Sequence, residues 1–171
     1  LRAFQESDSE DFFGRDALVD ELLERLANDG GRFLAVVGPS GSGKSSAVKA
    51  GVIPAIKRGR LLGSEDWFTV EMFPGAYPME ELEAALLRVA VRPVKGLMRA
   101  LQSNPQGLII AANQVLPEDD SELVLYVDQF EELFTFVEDE REREQFLALI
   151  HTACTTPDSR VRVIVTLRAD F

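Results

Sequence analysis

The stretch "GPSGSGKS", residues 38–45, constrains this chain more than any other. It meets the G-x-x-x-x-G-K-[ST] spacing at every fixed position, and "FLAVV" before it is an apolar run of strand length. "GKSSAVKAGVI" reads as a helix, which Pro54 should kink or end. A strand that passes through glycines into a helix makes a phosphate cradle. Gly41 and Gly43 let the backbone turn inward with no Cβ in the way. The N–H groups that follow then point at the α and β phosphates, and the helix N-terminus adds its positive dipole end. Lys44 reaches the β and γ oxygens, and Ser45 offers its hydroxyl to Mg²⁺. The expected nucleotide-binding residues are Gly38, Pro39, Ser40, Gly41, Ser42, Gly43, Lys44, Ser45 and Ser46. The bland alternative is a Gly/Ser-rich turn before an amphipathic helix. It leaves the joint occurrence of strand, spacing, Lys and Ser unexplained.

"LVLYVDQFEELF", residues 123–134, poses a second question. Its first five residues suit a buried strand, yet Asp128, Glu131 and Glu132 follow at once. Three carboxylates repel one another unless something positive sits among them. The expected cation is Mg²⁺ on a bound nucleotide, with Asp128 joining Ser45 as a metal holder. The alternative role for Asp128 is a cap on the next helix. Many ATPases place a glutamate directly after the metal aspartate. Here Gln129 stands there, and an amide cannot take a proton. The base comes from further on, or hydrolysis is slow. Glu131 and Glu132 lie one helical turn beyond the strand end, where one of them can orient the attacking water. The competing reading is that both are solvated first-turn residues favoured by the helix dipole.

The rest of the chain alternates strands and helices. From Asp16, the apolar positions Leu18, Val19, Leu22, Leu23 and Leu26 fall at helical spacing, and 28–31 is a helix stop. Helices are expected in "YPMEELEAALLRVA", "PVKGLMRALQSNP" and "EDEREREQFLALIHTACT". "GLIIAANQVLPEDDS" is either a short helix followed by a loop or a brief strand. Strands are expected at 33–37, 68–72, 123–127 and 161–166. That alternation predicts an α/β sandwich around a mostly parallel sheet, in one domain spanning 1–171. Residues 1–11 are expected to form an extended lead segment. Trp67, Phe68 and Phe73 are expected as core or strand-end packing, not as nucleotide stackers.

Composition excludes several classes. The formal charge is −11 and the lysines are only Lys44, Lys49, Lys57 and Lys95, which argues against a nucleic-acid surface on this segment. No apolar run approaches the roughly 18 residues a membrane helix needs. The single Cys154 excludes an internal disulfide, fits a reducing compartment and points to the cytoplasm. His151, three residues before Cys154, is explained by one helical turn without a metal.

Four motifs in order, "FFGRD", "VVGPSGSGKSS", "VDQFEELF" and "TLRADF", resemble the bacterial novel STAND NTPases. These are P-loop switch ATPases related to the NACHT and NB-ARC modules of immune receptors. The resemblance runs over about 12–171 and implies an ASCE/AAA-like three-layer P-loop NTPase core, with the first and the third strand both beside the fourth, that binds ATP or ADP with Mg²⁺. It places Arg15 against the adenine and ribose side. It makes Asp128, Glu131 and Glu132 a displaced Walker B, and Arg168 a sensor able to read the γ-phosphate. Lys44, Asp128, Glu131, Glu132 and Arg168 become the catalytic candidates. Leu1 in place of Met, and an end after the fourth core strand, lead to the expectation of a fragment without lid, effector or sensor regions. Its partners are then the other domains, with oligomerisation on activation.

The function expected is a regulatory ATPase with tight binding and low turnover. A nucleotide-binding scaffold without hydrolysis is the main alternative. A phosphotransferase would need an Arg-rich lid, whereas Arg141 and Arg143 alternate with acids on a solvated helix face. A GTPase would need Asn-Lys-x-Asp, and "ANQVLPED" lacks the Lys.

Overall fold

A computed structural model describes residues 16–28 and 31–171. The predicted lead segment and Arg15 lie outside the described residues. Four strands form one sheet: β1 (Phe33–Gly38), β2 (Phe68–Met72), β3 (Leu123–Val127) and β4 (Val161–Arg168). All pairings are parallel, in the order β1-β4-β3-β2. The expected neighbours of β4 are therefore the observed ones.

Alternation along β3 explains the layers. Leu123, Leu125 and Val127 point into the larger core, while Val124 and Tyr126 point into the smaller one. All five are buried, as a central parallel strand requires. The larger core is closed by α4 (Pro78–Leu87), α5 (Leu97–Ser103), α6 (Gly107–Val115) and α8 (Glu140–Thr155). The smaller core is closed by α1 (Asp16–Ala27) and the helix after the glycine loop. The result is the predicted helix–sheet–helix sandwich. The segment left open between helix and strand is helical, as α6. Phe68 packs against the larger core and Trp67 against the smaller, whereas Phe73 is partly exposed.

Pro54 neither ends nor breaks its helix. That helix begins as α2 (Lys44–Ser46), widens into a π-helical segment over Ala47–Val52, and continues as α3 (Ile53–Lys57) with Pro54 in its first turn. Ile53 N–H donates to Val48 O, five residues back. A proline loses an N–H and crowds the carbonyl four residues earlier. The wider turn just before Pro54 relieves that crowding, so the chain carries on to Lys57.

Candidate functional site

Four chain segments meet at the carboxyl ends of the strands. Gly38 closes β1 opposite Arg168 of β4. The loop of Pro39, Ser40, Gly41 and Ser42 turns at Gly41 (φ 73°) and at Gly43 (φ 84°), a backbone region where side chains are strained. Lys44, Ser45 and Ser46 then form α2. Asp128 follows β3. Glu131 is the N-cap residue of the short α7 (Glu132–Thr135), and Glu132 opens it. Lys44, Ser45, Glu131, Glu132, Thr166 and Arg168 line one cleft of about 320 Å³, with Phe136 and Phe171 at its side.

Asp128 is the centre of this arrangement and is 2% exposed. Its Oδ1 accepts from Ser45 Oγ (2.7 Å), Thr166 Oγ1 (2.5 Å) and the Gln129 N–H (3.1 Å). Its Oδ2 lies 3.2 Å from Lys49 Nζ. Burial works against the charged form, but the bonds from Thr166 and Ser45 and the Lys49 charge hold its pKa below the ordinary carboxylate value. Asp128 is thus turned toward the phosphate loop. α7 carries no side-chain cap, so the helix-cap alternative does not describe it.

Gln129 has φ 55°, an uncommon conformation for a residue with a side chain. Its N–H is held between Asp128 Oδ1 and Thr166 Oγ1 (3.0 Å). This tight corner turns the chain back so that Glu131 lines the cleft.

The two glutamates differ. Glu131 is 8% exposed and its Oε2 is buried with no hydrogen-bond partner. Glu132 Oε2 accepts from the Gly75 N–H at 3.2 Å, which ties it to the loop after β2. Lys44 Nζ donates to the carbonyls of Gly38 and Pro39, both at 2.7 Å. Arg168 is held by Asp170 at 3.1 and 2.5 Å, and this partner raises its pKa.

Two residues of the site were not anticipated. Lys49 is 9% exposed and sits 2.5 Å from Glu71 Oε1 as well as near Asp128. Burial opposes its charge, yet the bond to Glu71 and the charge of Asp128 leave its pKa raised. The positive group beside Asp128 is therefore on the chain itself. The signal was a lysine inside the otherwise apolar "AVKAGVIPAI". Thr166, 1% exposed, was likewise a lone hydroxyl in the apolar strand "VRVIVTLR". It shares a face with Arg168 two residues on.

Ser45 Oγ and Asp128 are hard oxygen donors side by side, which suits Mg²⁺. Among the described residues no group of three or more His, Cys, Asp or Glu could hold a metal unaided. An ion here would take further ligands from phosphate and water, the usual habit of Mg²⁺.

The model of the family described as "Novel STAND NTPase 1" matches residues 1–171. The chain belongs to that family. It is a nucleotide-binding NTPase module. No curated protein matches the sequence. Among solved structures, this STAND module is similar to the ORC2 protein of Aeropyrum pernix in its ADP form, with 16% identity and a TM-score of 0.50, covering 99% of this chain and 43% of that one. The same protein solved as ADPNP–ADP complexes gives 17% identity and a TM-score of 0.47, over 95% and 40%. The chain thus spans 40–43% of the length of those neighbours. At this identity the likeness speaks for the fold, which is the P-loop NTPase fold. No described helix is long and apolar enough to cross a membrane.

Proposed function

We propose that this chain is the ATP-binding, slowly hydrolysing switch module of a STAND-type signalling NTPase. One observation carries the reading: Glu131, whose buried carboxylate has an oxygen without a hydrogen-bond partner, lines the same cleft as Lys44 and Ser45. An unsatisfied buried carboxylate is costly unless something polar is to meet it. In this reading Glu131 orients the attacking water, and Glu132 fastens the loop after β2. Lys44 exchanges its two loop carbonyls for the β and γ oxygens. Ser45 and Asp128 would hold a Mg²⁺ ion, which would supply neutralisation of phosphate charge. Arg168 leaves Asp170 to read the γ-phosphate, and Arg15 serves the adenine side. ADP is also what the ORC2 neighbour was solved with. A switch follows if ATP and ADP stabilise different arrangements of lid, partner domains and oligomer.

Gln129 favours one second reading, a nucleotide-binding scaffold without hydrolysis, since no acid directly follows Asp128. Titration calorimetry with ATP, ADP and GTP, with Mg²⁺, on the protein and on Lys44→Ala tests the first step. Adenine-selective binding lost in the variant supports the switch. Equal binding of GTP removes the role given to Arg15. Turnover that is absent in the wild type selects the scaffold.

A further inference from the structure

Lys49 and Ser45 lie four residues apart on one helix and therefore face the same way. Ser45 takes Oδ1 of Asp128 and Lys49 takes Oδ2, so a single helix grips both oxygens of one carboxylate. Lys49 is shared. Glu71, opposite Tyr126 in the β2–β3 register, holds the same Nζ more closely, at 2.5 Å against 3.2 Å. Nζ also stands 5.3 Å from the ring centroid of Phe73 and 6.0 Å from that of Tyr126, faces that favour a cation.

We infer that Lys49 is a positioning residue for Asp128, and that Glu71 sets how strongly Lys49 screens Asp128 from a cation. The inference rests on the reading of Ser45 and Asp128 as the metal-side pair. One lysine between two carboxylates leaves the trio with one net negative charge. Lys49 keeps Asp128 in place beneath Ser45, while Glu71 draws enough of the lysine charge to leave Asp128 attractive to a divalent ion. Without Lys49, two carboxylates from adjacent segments face each other and Asp128 turns away. Without the Glu71 charge, Lys49 bears on Asp128 alone and competes with the cation.

The test is ATP affinity by calorimetry across a Mg²⁺ titration that starts in chelator, on wild type, Lys49→Met, Lys49→Arg and Glu71→Gln, each checked for folding by circular dichroism. Lys49→Met should lose about tenfold or more of the Mg²⁺-dependent gain in affinity, as happens when a group that orients a metal ligand is removed. Its Mg²⁺-free binding should stay within about twofold, because phosphate still meets Lys44. Lys49→Arg should restore most of the gain. Glu71→Gln should raise the Mg²⁺ midpoint about threefold or more, a shift a merely structural lysine would not produce. Wild-type gain and midpoint in both Lys49→Met and Glu71→Gln overturn the inference. If Lys49→Met does not fold, Glu71→Gln decides. If the wild type itself gains nothing from Mg²⁺, the metal-side reading has failed, and the inference falls with it.

Discussion

Ser45 and Asp128 stand 83 positions apart in the chain and are joined by a 2.7 Å hydrogen bond from Oγ to Oδ1. It ties the phosphate loop to the end of β3. Ser45→Ala removes one of several donors to Asp128, so stability should fall by only about 1 kcal/mol. The Mg²⁺-dependent part of ATP affinity should fall about tenfold in the same variant, as for a lost partner of a metal site. Thermal melts and calorimetry with and without Mg²⁺ check the two effects.

Lys44 spends its hydrogen bonds on the loop carbonyls of Gly38 and Pro39. Lys44→Ala gives up both bonds and should melt lower, by about 1–2 kcal/mol for a partly exposed pair. Its ATP affinity should drop about a hundredfold, because hydrogen bonds from a charged donor contribute about 1.5–3 kcal/mol each. An unchanged affinity in calorimetry would dismiss the phosphate cradle.

Glu131→Gln should do two things at once. It replaces a buried carboxylate that has an unpartnered oxygen by a neutral amide, which relieves a burial cost of about 1 kcal/mol. The melting temperature should rise while steady-state phosphate release slows about a hundredfold or more, the scale of a lost general base. Glu132→Gln should weaken the bond to Gly75, melt lower, and leave turnover within about threefold, since that carboxylate serves the fold. The reverse pattern would exchange the two roles.

Arg168 and Asp170 form an exposed pair whose strength depends on salt. Asp170→Asn releases Arg168 and should raise the preference for ATP over ADP about threefold at low salt. Arg168→Ala should lower it. Paired ATP and ADP titrations at two salt concentrations read both.

Cys154 sits on α8 against the larger core, and burial pushes its thiol up to about 12. The unfolded thiol titrates near 8.5. The folded state therefore keeps its proton where the unfolded chain loses it, and this contribution to stability is complete below about pH 8.5 and fades as pH climbs toward 12. At pH 8, alkylation of the native thiol should be about a hundredfold slower than in denaturant. Equal rates would mean that α8 opens freely.

The phosphate loop was legible because its motif is local: the glycines, Lys44 and Ser45 stand within one short stretch of chain. The four strands were legible as apolar runs, whereas the order of β1, β4 and β3 came with the resemblance to P-loop ATPases of the ASCE type. Local preference has Pro54 kink or end its helix; the helix does not end there, because the π-helical turn over Ala47–Val52 accommodates it. The segment of α6 stayed ambiguous because nine mostly apolar residues have no distinctive period.

Residue types and short spacings determined by themselves that this chain folds around a phosphate loop, with Asp128 at the end of another buried strand. The tertiary structure decided which groups share that carboxylate. Lys49, Glu71 and Thr166 come from a helix and two strands, and nothing in their spacing marks them as partners. It also separated Glu131 from Glu132, since the left-handed corner at Gln129 and the reach of the Gly75 N–H exist only once β2, β3 and β4 are side by side. Ion pairs and hydrogen bonds depend on distances of a few ångströms, and those distances are set by packing, not by separation along the chain.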